Sequence, residues 1–215
     1  MIKNTLNAHY SYSYYQPEDY RFSLDSVFLA QKVAIKVKER SNLSELKILD
    51  LCSGCGVVGL ELQFHARELK KIDFLEIQNV YRDYFEKNCE QVRGENLELN
   101  FLNMNYESLL NDSFKETYDI IVSNPPYFFQ GEGLLSPNDF KNRCRFFIDS
   151  SFQKLIEATL FSLRPDGLAF LLMRPGSHHG RDLVEEIKKL TKGLAFVQIF
   201  DEVRGTNIIM LSKKI

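Results

Sequence analysis

Apolar residues fall along the chain in short blocks, separated by charged and turn-forming stretches. Blocks at 47–51, 72–76, 97–102, 120–122 and 168–173 are rich in isoleucine, leucine, valine and phenylalanine. Runs of that length suit buried strands and are too short for helices. Longer segments at 57–67, 78–93, 149–163 and 181–190 lie between or after them and are read as helices. An earlier helix starts at Asp25-Ser26, a capping pair, and shows an apolar face of Val27, Phe28, Leu29, Ala30, Val33 and Ala34 before ending near Glu39. Blocks at 195–200 and 207–213, joined by 201–206, suit an antiparallel hairpin at a sheet edge. Strands alternating with helices predict one α/β domain over 23–215, built on a mostly parallel sheet. Residues 1–22 break the pattern. They hold Tyr10, Tyr12, Tyr14, Tyr15 and Tyr20 with no sustained period, and are read as an arm or hairpin over the sheet edge. Its aromatics either pack on the body or stack on bases.

Two strand ends bring in chemistry. The block 120–122 runs into Ser123-Asn124-Pro125-Pro126-Tyr127-Phe128. Consecutive prolines fix φ and remove two backbone donors, and a residue before proline is pushed to extended geometry. Asn124 is thereby held at the carboxyl end of a strand, the edge where open α/β sheets bind ligands. Its amide oxygen and the Pro125 carbonyl can each accept one N–H of a planar NH2 group, while Tyr127 or Phe128 stacks on the plane. Alone, the tetrapeptide is also an ordinary strand-ending turn. The block 47–51 ends in Asp50-Leu51 and runs into Cys52-Ser53-Gly54-Cys55-Gly56-Val57-Val58-Gly59. An acidic strand end, then glycines that admit close backbone approach, then a helix, make a dinucleotide-type turn. The spacing is not G-x-G-x-x-G and no Lys-Ser/Thr follows, which excludes a phosphate P-loop. Glu76 ends the next strand and suits the hydroxyls of a ribose.

Composition narrows the partners. The 215 residues include 27 basic and 29 acidic side chains, a net charge of −2, so an RNA substrate needs a local cationic patch. Arg143 and Arg145, in an irregular segment 128–146 with Gly131, Gly133, Pro137 and Lys141, either meet phosphates or lie on a solvated surface. His178-His179 follow the last parallel strand and are read as a solvent-facing loop at the same edge. Cys52 and Cys55 have the spacing of a thioredoxin-like redox motif, but are read with Cys89 and Cys144 as small turn and core residues without disulfides. No second closely spaced pair supports a zinc site. There is no 18-residue apolar run and no basic-then-apolar leader, so a cytoplasmic location is expected.

Asn124-Pro125-Pro126-Tyr127 resembles the signature of S-adenosylmethionine-dependent methyltransferases acting on exocyclic or amide nitrogens, and the Asp50–Gly59 loop resembles the glycine loop of the class I enzymes, with Cys52 where the first glycine is expected. Arg21-Phe22-Ser23-Leu24-Asp25-Ser26, Glu76-Ile77-Gln78 and Ser136-Pro137-Asn138 add a resemblance to the bacterial tRNA1(Val) adenine-37 N6-methyltransferase family, over roughly residues 20 to 175. The resemblance implies a Rossmann-like class I fold, a seven-stranded mostly parallel sheet with an antiparallel terminal hairpin. It implies S-adenosylmethionine held by Asp25, Asp50, Ser53, Gly54, Gly56, Glu76, Asn103 and Asn124. Asn124, Pro125 and Tyr127 would act on the target nitrogen, and Tyr127, Phe128, Arg143 and Arg145 would hold tRNA. A monomer without metal or membrane is expected. The alternatives are a release-factor glutamine-N5 methyltransferase, whose usual amino-terminal helical domain has no counterpart in the 22 residues here, a guanine-N2 rRNA methyltransferase, and a non-catalytic RNA-binding module.

Overall fold

The computed structural model describes residues 2–3, 9–131, 133–175 and 181–214. In chain order its strands are β1 (Ile2–Lys3), β2 (Tyr15–Gln16), β3 (Lys47–Leu51), β4 (Lys71–Leu75), β5 (Glu98–Leu102), β6 (Tyr118–Ser123), β7 (Leu163–Met173), β8 (Ala195–Val203) and β9 (Thr206–Lys213). The helices are α1 (Leu24–Val37), α2 (Val57–His65), α3 (Arg82–Cys89), α4 (Asp139–Arg145), α5 (Phe152–Ser162) and α6 (Leu183–Leu190). A seven-stranded sheet has the order β5-β4-β3-β6-β7-β9-β8. Pairing is parallel from β5 through β7 and antiparallel at β7–β9 and β9–β8. This is the α/β class and terminal hairpin expected from the sequence.

Side chains alternate across the sheet with period two. Ile48, Ile72, Ile120 and Val122 pack with α1, α2 and α3 on one face, while Leu49, Leu51 and Ile121 pack with α5 and α6 on the other. Both faces are covered, which is why β6 is buried along its whole length and reads as an unbroken apolar run. Fully buried Phe74 and Phe170 anchor the first face, each contributing about 1.5–3 kcal/mol by leaving water.

Several elements depart from the sequence reading, α3 by being confined to Arg82–Cys89 within the expected 78–93. Ser23 occupies the N-cap position of α1 without a side-chain capping bond, and Asp25 lies in the first turn, so Asp25-Ser26 is not the cap. The segment 128–146 is not wholly irregular: it holds α4, whose N-cap Asn138 accepts from the Lys141 N–H at 3.1 Å. Seven mostly polar residues carry too little periodicity to announce that helix. The turn expected at 164–167 lies inside β7, where the pairing with β6 shifts register. The closing hairpin is tighter than 201–206: Arg204 and Gly205, with φ of 51° and 78°, form its two-residue turn. Two successive positive φ values match the right-handed twist of the flanking strands.

The amino-terminal arm is strapped to the body. Glu61 of α2, fully buried, accepts from the Ser11 N–H (2.9 Å), the Ser11 hydroxyl (2.8 Å) and the Tyr14 hydroxyl (2.8 Å). Asn88 accepts from the Tyr15 N–H at 2.7 Å and donates to the Tyr15 and Cys55 carbonyls, while Gln91 brackets Ser13 in the same way. Tyr12 and Tyr14 are therefore core residues. Among the described residues no helix is long and apolar enough to cross a membrane.

Candidate active site

Strands β3 and β6 are neighbours, and the chain runs outward from them through β4 and β5 on one side and through β7 on the other. A crevice at such a reversal is where open α/β sheets bind ligands. The Ser123 hydroxyl donates to the Leu51 carbonyl at 2.6 Å and locks the two strand ends together. A cavity of about 360 Å³ opens above them. Its walls come from the ends of β3, β4, β6 and β7, the arm from Gln16 to Phe22, the first turn of α1, and α4 with the residues after it.

One wall is the loop after β3. Glu76 lines the cavity and accepts from the Gly54 N–H (3.0 Å) and the Gln78 N–H (2.8 Å). Burial pushes its carboxyl up to about 6 against the pull of those two N–H groups. Ser53 and Gly54 line the cavity as expected. Asp50, Gly56 and Asn103 do not. Asp50 is fully buried behind the loop, where it accepts from the Gly59 N–H at 2.8 Å, and burial pushes its carboxyl up to about 8. Gly56, at φ 86°, packs where an added Cβ would lie 2.9 Å from Phe85. Asn103 is exposed and donates to the Glu76 and Ile77 carbonyls, tying β4 to β5. Asp50 and Gly56 shape the loop from behind, while Asn103 braces the end of β4.

Cys52 has a φ of 61°. Left-handed backbone is the reason a glycine is expected there, and the cysteine holds that conformation at a cost of about 1–2 kcal/mol. All four cysteines are free, and burial pushes the thiols up, Cys55 and Cys89 to about 12 and Cys144 to about 11. A redox cysteine needs the opposite shift.

The facing wall follows β6. Asn124 donates from Nδ2 to the Ser26 hydroxyl at 2.8 Å, which orients the amide so that Oδ1 is the acceptor. That oxygen is not free as the sequence reading had it: the Tyr127 hydroxyl donates to it. Burial raises the Tyr127 pKa, so the hydroxyl stays a donor. Nor is the Tyr127 ring a bare face, because the Arg174 guanidinium lies 5.0 Å from its centroid. Pro125 and Phe128 line the cavity, as do Asp25, Arg143 and Arg145. Arg143 forms a bidentate pair with Asp149 (Nε to Oδ1 3.0 Å and Oδ2 2.9 Å), so its charge is already matched. Asp25 faces Arg204 at 3.4 Å. The sequence reading missed Gln16, Tyr20, Ser26 and Arg174 as lining residues. Ser26 stood inside the Arg21–Ser26 motif, whereas Gln16 sat in an arm with no period to read. His178 and His179 lie outside the described residues.

The model of the methyltransferase small domain matches residues 22–136, more than half of the chain. The chain belongs to that family. The methyltransferase is 32% identical over 108 residues to a release factor glutamine methyltransferase of Borreliella burgdorferi, covering 50% of this chain and 34% of the relative. It is 31% identical over 128 residues to a tRNA1(Val) (adenine(37)-N6)-methyltransferase of Actinobacillus pleuropneumoniae, covering 59% and 51%. The chain thus spans a third to a half of these curated relatives' own length. Its fold matches a TehB-like SAM-dependent methyltransferase of Corynebacterium glutamicum (TM-score 0.53, 14% identity, 86% of this chain and 88% of that one). It also matches TrmN of Thermus thermophilus (TM-score 0.55, 17% identity, 88% and 49%).

The cofactor of the methyltransferase is S-adenosylmethionine. The cavity suits it on its own terms. Gln16, 1% exposed, has an Nε2 without a partner, and the buried Ser53 hydroxyl also lacks one. Both line the cavity beside Glu76, so donors and a carboxylate stand ready for a polar ligand. Among the described residues no group of three His, Cys, Asp or Glu side chains is placed to hold a metal ion.

Proposed function

We propose that this methyltransferase modifies the exocyclic N6 of adenine in tRNA, with adenine 37 of tRNA1(Val) as the target. The observation that carries the reading is Asn124: its amide is turned by Ser26 so that the oxygen points to the Tyr127 side of the cavity, beside two aromatic rings. An acceptor next to a stacking face suits a flat base with an amino group. The 31%-identical tRNA methyltransferase relative supports the same substrate.

Bound S-adenosylmethionine supplies an electrophilic sulfonium methyl. Adenine N6 is a weak nucleophile, because its lone pair is delocalised into the ring. Asn124 Oδ1, once Tyr127 yields it, and the Pro125 carbonyl would accept the two N–H bonds and favour a tetrahedral nitrogen with its lone pair out of the ring, one N6 proton passing to solvent as the nitrogen is alkylated. An unpaired base in a tRNA loop enters without the cost of opening a duplex. Glu76 and Ser53, with the Gly54 backbone, would hold the cofactor, while Asp50 and Gly56 shape the loop behind it.

A side-chain amide meets the same acceptors, and the 32%-identical release-factor relatives make glutamine N5 the second reading. The deciding experiment is single-turnover methylation of an unmodified anticodon stem-loop with adenine at position 37, beside the same RNA with guanine there and a release-factor peptide carrying the target glutamine. Methylation of the adenine RNA alone is expected. Equal transfer to both RNAs sinks the adenine assignment, and transfer to the peptide alone moves the substrate to protein.

A further inference from the structure

We propose that Arg174, assisted by Arg145, grips the RNA phosphates beside the target base, and that Arg174 covers the base-stacking ring until the base displaces it. The inference rests on the RNA reading above and names the residues that grip this substrate.

Of the arginines around the cavity, Arg143 is matched by Asp149 through two hydrogen bonds. Arg145 and Arg174 have no carboxylate within ion-pair distance among the described residues. Both lie over aromatic rings instead. The Arg174 guanidinium is 5.0 Å from the Tyr127 centroid and 5.6 Å from that of Phe128, and Arg145 is 5.2 Å from Phe128 and 5.7 Å from Phe146. Strand pairing sets this up. Ser123 of β6 lies beside Leu171 of β7, so the residues three or four further along, Arg174 and Tyr127, leave the sheet together. Arg145 ends α4, and its carbonyl accepts from the Tyr127 and Phe128 N–H groups at 3.1 and 3.0 Å, which holds the second cation against the same loop.

A guanidinium lying over a ring keeps its charge and its fork of N–H donors for an oxyanion. The ring contact is weak and exchangeable at an exposed site, and Arg174 is exposed. With a net charge of −2 the whole protein has no field to draw RNA, so the grip falls to local cations. Phosphates flanking the target nucleotide would give these two cations the counter-charge that the protein withholds. The ring that a base must stack on is the one Arg174 covers, so entry of the base frees the guanidinium as its phosphates arrive.

The test measures affinity for the adenine-37 stem-loop against salt concentration, with steady-state kinetics, for the wild type, Arg174→Ala and Arg174→Lys. Unfolding curves check that each variant is folded. Loss of one phosphate contact should lower the slope of log affinity against log salt by roughly 0.7–0.9 in Arg174→Ala. KM should rise several-fold while the single-turnover rate at saturating RNA stays within two-fold, and Arg174→Lys should recover the slope. If the wild type methylates the RNA while slope and KM are unchanged in Arg174→Ala, the inference is overturned and the RNA reading survives. If the wild type methylates only the release-factor peptide, both fall, and the wild type alone shows it.

Discussion

The two walls of the cavity are built on opposite rules. On and behind the proposed cofactor wall, carboxylates and an amide are spent on backbone: Glu76 on the wall holds Gly54 and Gln78, while Asp50, off the cavity, holds Gly59 and Asn103 holds two carbonyls after β4. On the target wall the polar side chains are spent on one another. Asn124 is satisfied by Ser26 and Tyr127, and the Tyr127 and Phe128 rings are covered by Arg174. Backbone partners cannot leave without unfolding a turn, whereas a hydroxyl or guanidinium leaves by changing rotamer. On the proposed reading the difference teaches which wall is set in advance and which is rearranged by its ligand: the cofactor would meet a surface finished in its backbone, and the target group would displace side chains to complete its own.

The largest effect that can break this contrast is at Asn124. Asn124→Ala should slow single-turnover methyl transfer by roughly 10²–10³, the scale of one lost transition-state hydrogen bond, while cofactor affinity by calorimetry barely changes. A wild-type rate would sink the mechanism; a matching loss of cofactor affinity would show that the walls are not separable. On the other wall, Glu76→Ala should weaken S-adenosylmethionine binding by about 1.5–3 kcal/mol, the scale of hydrogen bonds to a charged group. Unchanged affinity there defeats the cofactor assignment.

A pH experiment sharpens the picture of the finished wall. Asp50 and Glu76 are pushed up to about 8 and about 6, above their ordinary carboxylate values, so folding takes up protons. The stability this contributes is complete below about pH 4 and is lost as pH rises through about 6 and then about 8. In urea titrations from pH 5 to 9, wild-type stability should fall relative to Asp50→Asn by at most about 1.4 kcal/mol per pH unit. Parallel curves would mean that Asp50 is already ionised in the folded protein. The smallest effect is expected at the cysteines. Cys52→Ser with Cys55→Ser should leave methyl transfer within a few-fold, since burial keeps both thiols protonated. Disulfide reductase activity lost in that variant would restore the redox reading.

The finished wall was also the legible one. Leu49, Asp50 and Glu76 announce themselves because strand length and an acidic strand end are local signals, and β3 was expected at the residues it occupies, with β4 displaced by one. Asn124 was legible for the same reason, since two prolines constrain it from within four residues. What covers it was not. Tyr127 capping Asn124 depends on side-chain rotamers, and Arg174 over Tyr127 depends on the pairing of β6 with β7. Arg143 and Arg145 look alike in sequence, and only Asp149, six residues from Arg143, separates the matched cation from the free one. Asp50 was assigned to the ligand on pattern alone, because no local signal tells a carboxylate facing a cavity from one turned to the loop behind.

The straps on Glu61, Asn88 and Gln91 set an order of events. The arm bonds across separations of 47 to 78 residues, so it can dock only after α2 and α3 have formed. During synthesis the arm precedes the residues that hold it, and residue 91 must emerge before its last strap can close. Contacts this distant in sequence are slow to form, because loop closure precedes any reward. Until they form, Glu61 lacks the three donors that satisfy it, and the cavity lacks the wall that Gln16 provides. The arm is thus placed later than the elements that hold it, and the cavity gains the wall that Gln16 provides only after α2 and α3 are in place.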